Sequence, residues 1–328
     1  MTFLEKLSNM SRYWRGKGVV VTGGAGFIGK LVVSMLEHLG ANVTVIDPRS
    51  HSRSSNYVPV PLERLGLLNS LIDDNDIVIH MAASVAGIQV NSKSHAAMFQ
   101  KNLIPGLSVL DACANAEKKC LIVSSACVYP EGFEMSEAFG DHGKAEKSNA
   151  GYGTAKRMIE QYAAWLADEA GLRYSVVRPF NAYGPGDNFD PANSHVIPGL
   201  IRRIDDANKE LTIWGTGSQV RSFLYCDDFA EGVVLAAEKL PDGAVVNLGS
   251  DESVTMTGLA NLISHAMGKE LFYSYDNTKP NGHENRVAVV DKAKELIGFE
   301  AKTPLRDGLR RTVEWYKAKV KPMLVGGY

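Results

Sequence analysis

The chain alternates short apolar runs with longer stretches whose apolar positions recur at helical spacing. GVVVTG, residues 18–23, is a run of strand-forming residues; a glycine loop follows, then FIGKLVVSMLEHLG, helical in its apolar spacing and closed by Gly40. The strand-like run returns in NVTVID, DIVIHMAA, CLIVSSA and YSVVRP, and helical patterns such as NLIPGLSVLDACANA and GTAKRMIEQYAAWLADEA lie between them. That order predicts an α/β fold with a Rossmann-type, doubly wound parallel sheet. Beyond Asn181 the rhythm changes: NAYGPGDNFDPANSHVIP is rich in Gly, Pro and Asn, and a basic helix, a WGTG turn and mixed elements follow. The chain is therefore divided into an N-terminal extension (1–17), a dinucleotide-binding domain (18–181) and a smaller C-terminal α/β substrate-binding lobe (182–328), some segments of which return to the first domain.

At 328 residues the chain is long enough for such a pair of units and a substantial core. Its 35 basic and 37 acidic residues, net charge -2, argue against a nucleic-acid surface and for small-molecule ligands. Cys113, Cys120, Cys127 and Cys226 lack CxxC spacing in a chain this large, which fits a reducing cytoplasm. The first 18 residues contain no uninterrupted apolar stretch, and no later one reaches the roughly 18 apolar residues of a membrane span, so neither export nor membrane insertion is expected. No metal site is assigned.

VVVTGGAGFIG sets Gly23, Gly24, Gly26 and Gly29, with Phe27 and Ile28, between a strand and a helix. There the missing side chains let backbone approach a pyrophosphate at the helix N-terminus. Asp47 ends the second strand, where a carboxylate bonds the adenosine ribose 2′-hydroxyl and repels a 2′-phosphate, favouring NAD over NADP. Arg49 and Arg53 follow closely, either as a phosphate clamp that would admit NADP or as a solvated loop. Tyr152 and Lys156, in GYGTAK, stand at i and i+4 on one helix face, where a lysine beside a phenol favours the phenolate and equips the tyrosine for acid/base work. Ser125 sits at the carboxyl end of CLIVSS, the rim where open α/β sheets bind ligands, placed to bond the same reacting oxygen.

TGGAGFIG, SSACVYP and YGTAK together resemble the extended short-chain dehydrogenase/reductases, the NAD-dependent epimerase/dehydratase family, across nearly the whole chain. Within it, GPGDNFDPANSHVIPGLIRR and the AASVAGI loop, with Ala82 and Ala83, resemble the GDP-L-fucose synthase branch. SSACVYPE, WGTGSQVRSF and NLGSDESVTM resemble equally the GDP-mannose 3,5-epimerase branch. The resemblance implies that Cys127 and His195 move carbon-bound protons next to a 4-keto group, which acidifies its neighbours; inversion needs one group on each face of the ring. It further implies Arg203 and Arg221 for a diphosphate and Asn181 for the sugar. Trp214 offers a face to the sugar nucleotide or a place in the core. Fucose synthases carry arginine in place of Asp47 and consume NADPH. The expected enzyme is thus an epimerase of a nucleotide diphosphate sugar, GDP-linked by resemblance, using NAD with NADP open and inverting C3 and/or C5. The alternatives are an NADPH-dependent epimerase-reductase, a 4-epimerase or a dehydratase. A homodimer through the two helical segments quoted above is expected; a non-catalytic cofactor-binding module is disfavoured because Ser125, Tyr152 and Lys156 are all present.

Overall fold

The computed structural model describes residues 12–49, 56–62, 65–85, 87, 91–278 and 284–325. Most of the N-terminal extension, Arg53 and part of the AASVAGI loop therefore lie outside the described residues. The first half of the chain carries β1 (Gly18–Thr22), α1 (Gly29–His38), β2 (Asn42–Ile46), β3 (Asn56–Val58), α2 (Leu65–Asp73), β4 (Ile77–His80), α3 (His95–Asn115), β5 (Lys119–Val123), α4 (Ala150–Ala170) and β6 (Tyr174–Pro179). Then come β7 (Ala182–Tyr183), α5 (Val196–Asp206), β8 (Glu210–Trp214), β9 (Val220–Ser222), β10 (Leu224–Tyr225), α6 (Cys226–Lys239) and β11 (Val245–Leu248). The last stretch holds β12 (Ser253–Thr255), α7 (Met256–Met267), β13 (Phe272–Asp276), β14 (Asn285–Arg286), α8 (Asp291–Ile297), α9 (Leu305–Trp315) and α10 (Lys321–Val325).

The large sheet has seven strands in the order β11-β6-β5-β4-β1-β2-β3, every pair parallel. Its central strands β1, β4 and β5 are buried on both faces, the condition for a parallel sheet covered by helices on either side. Period two sorts the side chains. Val19, Val21, Ile77, Ile79, Leu121, Val123 and Val177 share one core with Val32, Met35 and Leu36 of α1 and Val233 to Ala237 of α6. Val20, Val78, Ile122 and Val176 face the other way, onto Val109 and Leu110 of α3 and Ile159 and Ala163 of α4. Each such large apolar side chain, fully buried, contributes roughly 1.5–3 kcal/mol. Helices α3 and α4 approach so closely that a Cβ on Gly106 would stand 2.5 Å from Ile159 Cδ1, so glycine is what permits the contact.

Strand β11, from beyond residue 181, returns to complete the large sheet beside β6. The lobe itself holds a three-stranded sheet with β9 between β12 and β14, and two parallel pairs, β8 with β13 and β7 with β10. The first core runs on into it through Tyr183, Phe189, Leu200, Leu211 and Leu259 without a break. Trp14, within the segment read as an extension, is fully buried in that same core, which gives the end of the extension a docking role. Among the described residues, no helix is long and apolar enough to cross a membrane, and no group of three metal-ligating side chains occurs.

Candidate active site

The site is built on the carboxyl ends of β1, β2, β4 and β5, the rim at which parallel sheets take ligands. After Thr22 the chain turns through Gly23, whose φ of +73° favours glycine, and a Cβ there would stand 2.8 Å from the backbone of Ala82. A Cβ on Gly29 would meet the Gly23 carbonyl at 2.2 Å. Only glycines therefore let the turn close against the start of α1, leaving a bare backbone cradle at a helix N-terminus, which suits a pyrophosphate. Phe27 lies half-buried beside it, whereas the Ile28 side chain is buried in the core, so its share in cofactor binding is limited to backbone. Ala82 floors the cradle and Ala83 is exposed next to it.

Asp47 is buried beneath this loop and accepts from the Ala25 N–H at 3.2 Å. Arg49 gives it a backbone N–H at 2.9 Å and two guanidinium bonds at 2.9 and 2.8 Å. Burial opposes ionisation, but the Arg49 bonds and charge with the Ala25 N–H outweigh it and hold the carboxyl below its usual range. Asp47 and Arg49, read separately in the sequence, thus act as one ion pair, and Arg49 Nη2 reaches over the loop to within 3.2 Å of where a Gly26 Cβ would stand. A bare glycine cradle at a helix N-terminus, with a carboxylate at the end of the next strand and an exposed cation beside it, fits a nicotinamide dinucleotide.

Ser125 caps the short turn Ala126–Val128, accepting the Cys127 N–H at 3.1 Å. This bond fixes Cys127 beside the serine on the same rim. From α4, Tyr152 reaches both: it bonds Ser125 and feels the Cys127 sulfur. Contact between α4 and the turn is tight, since a Cβ on Gly153 would fall 2.2 Å from the Cys127 carbonyl. Lys156 is 1% exposed and donates to the Val123 carbonyl at 2.9 Å, with Nζ 5.9 Å from the Tyr152 ring centre. Burial pushes its ammonium down to about 8 against the opposing charge of Glu160.

One expectation needs correction. The lysine was expected to draw the phenol toward phenolate, but burial, joined by Cys127, raises Tyr152 above its usual range, and only the Ser125 bond lowers it. Helical spacing places the two side chains on one face; it does not place Nζ at the phenol oxygen, because the Val123 carbonyl competes for it.

The lobe brings further groups. His195 is the N-cap residue of α5, its ring 45% exposed and Nδ1 3.7 Å from Asp187 Oδ1. Arg203 lies over the Trp214 ring, 5.6 Å from its centre. Arg221 donates to the Val220 carbonyl at 2.8 Å, and burial pushes it down to about 10. Among the described residues neither arginine has a carboxylate partner, so both remain as cations for an anionic ligand. Asn181 spends its amide on the Ser222 carbonyl at 2.7 Å, a bond that ties β9 to the segment after β6. Cys113 and Cys120 are fully buried packing residues.

Several participants were missed by sequence reasoning. Arg286 reaches Cys127 Sγ at 4.0 Å and pairs with the buried Glu146, which also accepts from Asn149 at 3.0 Å and Ser148 at 2.8 Å. Glu160 binds Arg178 at 2.6 Å and takes a hydrogen bond from Ser124. Glu160 was findable, standing one helical turn beyond Lys156; Arg286 and Glu146 are 140 positions apart, beyond any local spacing. His80, fully buried, shares a 2.9 Å bond with Thr22, and burial aided by Lys156 pushes it down to about 3, so it is neutral.

Comparison with known proteins accounts for this assembly. The chain belongs to the NAD dependent epimerase/dehydratase family, whose sequence model matches residues 19–249. GDP-L-fucose synthase 1 of Arabidopsis thaliana is 31% identical over 97% of this chain and 98% of its own length. Among solved structures, UDP-glucose 4-epimerase from Thermotoga maritima, with UDP-glucose, is 28% identical with a TM-score of 0.83 over 92% of this chain and 99% of that one. UDP-glucose 4-epimerase of Thermus thermophilus in complex with NAD is 25% identical with a TM-score of 0.77, over 92% of this chain and the whole of that one. The protein is accordingly an NAD(P)-dependent enzyme of the epimerase or epimerase-reductase type.

Proposed function

Proceeding from that membership, we propose that the protein inverts C3 and/or C5 of a nucleotide diphosphate hexose, GDP-linked, by way of a 4-keto sugar. The observation that carries the reading is the thiol of Cys127 set beside Ser125 and Tyr152. A dehydrogenase site needs only the serine, tyrosine and lysine; a sulfur on the same rim adds an acid/base group for a C–H bond next to the ketone. The glycine cradle, Asp47 and Lys156 would hold NAD, which when bound accepts and returns the C4 hydride. Tyr152 exchanges the proton of the C4 oxygen and Ser125 orients that oxygen. Cys127 and His195 supply the proton transfers at carbon. Arg203 and Arg221, uncompensated cations, hold the diphosphate, with Trp214 against the nucleotide.

Net-redox-neutral epimerisation suits Asp47. A second reading, an NADPH-consuming epimerase-reductase, is favoured by the relative named GDP-L-fucose synthase and by Arg49, whose guanidinium is 64% exposed beside the cradle. Incubation in deuterium oxide with GDP-mannose, and separately with GDP-4-keto-6-deoxymannose, tests both. Deuterium uptake from GDP-mannose without net cofactor change is the expected result. Uptake only from the keto sugar with loss of NADPH absorbance would establish the second reading, and uptake from neither would overturn both.

Exposed Ile104, Met158 and Trp165, on the packed pair α3 and α4, support a homodimer through these helices. Four thiols with no disulfide suit the cytoplasm.

A further inference from the structure

Asp187 is a second acidic group of the lobe that the reaction above does not use. It lies in the loop ahead of α5 and is 7% exposed. Its Oδ1 accepts the Asn188 N–H at 2.7 Å, while Oδ2 is buried with no hydrogen-bond partner. A buried carboxylate oxygen left without a donor is costly unless a cation answers it. Among the described residues, His195 stands on the Oδ1 side of this carboxylate, with Nδ1 at 3.7 Å.

His195, for its part, stands at the start of a helix. It caps the N-terminus of α5, an eleven-residue helix, where the backbone dipole presents its positive end. Asp187 offsets that field. Among the described residues, Asp190 and Arg202 are further charged groups around the loop. Asp190 is engaged by Ala192 N–H and Asn193, at 3.1 and 2.8 Å, and Arg202 by the Phe189 carbonyl at 3.0 Å. The loop is also held in place from outside: a Cβ on Gly87 would strike the Ser194 carbonyl at 2.8 Å, and Gly186 lies against Phe27 of the cofactor turn.

We propose that Asp187 is a positioning residue for His195: it faces Nδ1 and holds the ring so that Nε2 is the nitrogen presented to substrate. This rests on the proposed function for its consequence, not for the pairing itself. An imidazole so oriented protonates one face of the sugar ring, and without the carboxylate the ring turns freely.

The test uses the full chain with Asp187→Asn and Asp187→Glu. Diethyl pyrocarbonate acylates an accessible imidazole nitrogen, so peptide-resolved acylation of His195 in the absence of substrate should run about threefold faster in Asp187→Asn, whose ring is no longer held, and return toward the native rate in Asp187→Glu. NAD binding should be unchanged, which shows that the fold survives. Deuterium exchange into the sugar should fall about tenfold in kcat with little change in KM. In a His195→Gln background Asp187→Asn should cost nothing more, whereas a merely structural aspartate would cost as much as before. An unchanged acylation rate overturns the pairing whatever the substrate. Faster acylation with native exchange overturns the role in catalysis. Faster acylation in a protein whose native form exchanges no sugar would sink the proposed function and leave the pairing supported.

Discussion

The two halves of the site are built on opposite principles. On the sheet rim, Lys156 is 1% and Tyr152 8% exposed, each bonded to protein and packed from several sides. In the lobe, the His195 ring is 45% exposed, and among the described residues Arg203 and Arg221 hydrogen-bond to backbone carbonyls. The rim pays for its groups with buried polar networks such as Glu160 with Arg178 and Ser124, so its geometry exists before any ligand arrives. Among the described residues the lobe leaves Arg203 and Arg221 without a carboxylate partner, available to an anionic ligand. Redox chemistry at one carbon tolerates little displacement, whereas a diphosphate can be clamped by flexible donors.

That contrast can be broken from either side. The largest effect is expected for Tyr152→Phe: turnover should fall about 10²–10⁴-fold with NAD binding retained, because a proton-transfer group is lost from a prebuilt site. A variant with near-native turnover would remove the rim's claim to the chemistry. Cys127→Ser should reduce deuterium exchange at C3 and C5 about 100-fold while transient reduction of NAD at C4 continues; loss of both together would mean that the cysteine serves the fold of the rim. For the lobe, Arg221→Met should raise KM for the nucleotide sugar about tenfold or more with a smaller change in kcat, since a hydrogen bond to a charged group is worth about 1.5–3 kcal/mol. A fall in kcat alone would place Arg221 with the prebuilt groups.

A pH profile sharpens the comparison at smaller scale. Lys156 is charged below about 8 and loses its proton as pH rises through that value, so activity should decline on that alkaline limb and the limb should move upward in Lys156→Arg. The same burial makes a stability statement. The folded value lies below the 10.5 of a free lysine, so the charged form costs stability in full below about pH 8, and the cost fades between there and 10.5. The melting temperature of the native protein should therefore gain on that of Lys156→Met across this window. The smallest effect is expected for Arg49→Ala: severalfold weaker NADP binding with NAD little changed, read by fluorescence titration, whereas equal losses would assign Arg49 to the shared pyrophosphate.

Much of the rim was legible because its parts are close in sequence. A glycine turn between strand and helix, a carboxylate at the next strand end, a serine at another and a YxxxK pair all follow from period two or 3.6 along short segments. Neither period says where a long side chain ends. Nζ of Lys156 goes to the Val123 carbonyl, and Tyr152 responds to burial, which no spacing reports.

What the sequence determined by itself was the parallel sheet, its order of strands and helices, the cofactor turn and the identity of the groups on the rim, all set by local apolar periodicity and by residues with special backbone freedom. What only the tertiary structure decided was which distant charges meet: Arg286 with Glu146 beside Cys127, Arg178 with Glu160 behind Ser124, Asp187 with His195, and Trp14 in the core. Arg286 arrives on β14 and Asp187 on the loop before α5, whereas Arg178 meets Glu160 between β6 and α4 and Trp14 packs in from ahead of β1. Coulombic and packing contacts act through space, and chain separation carries no record of them.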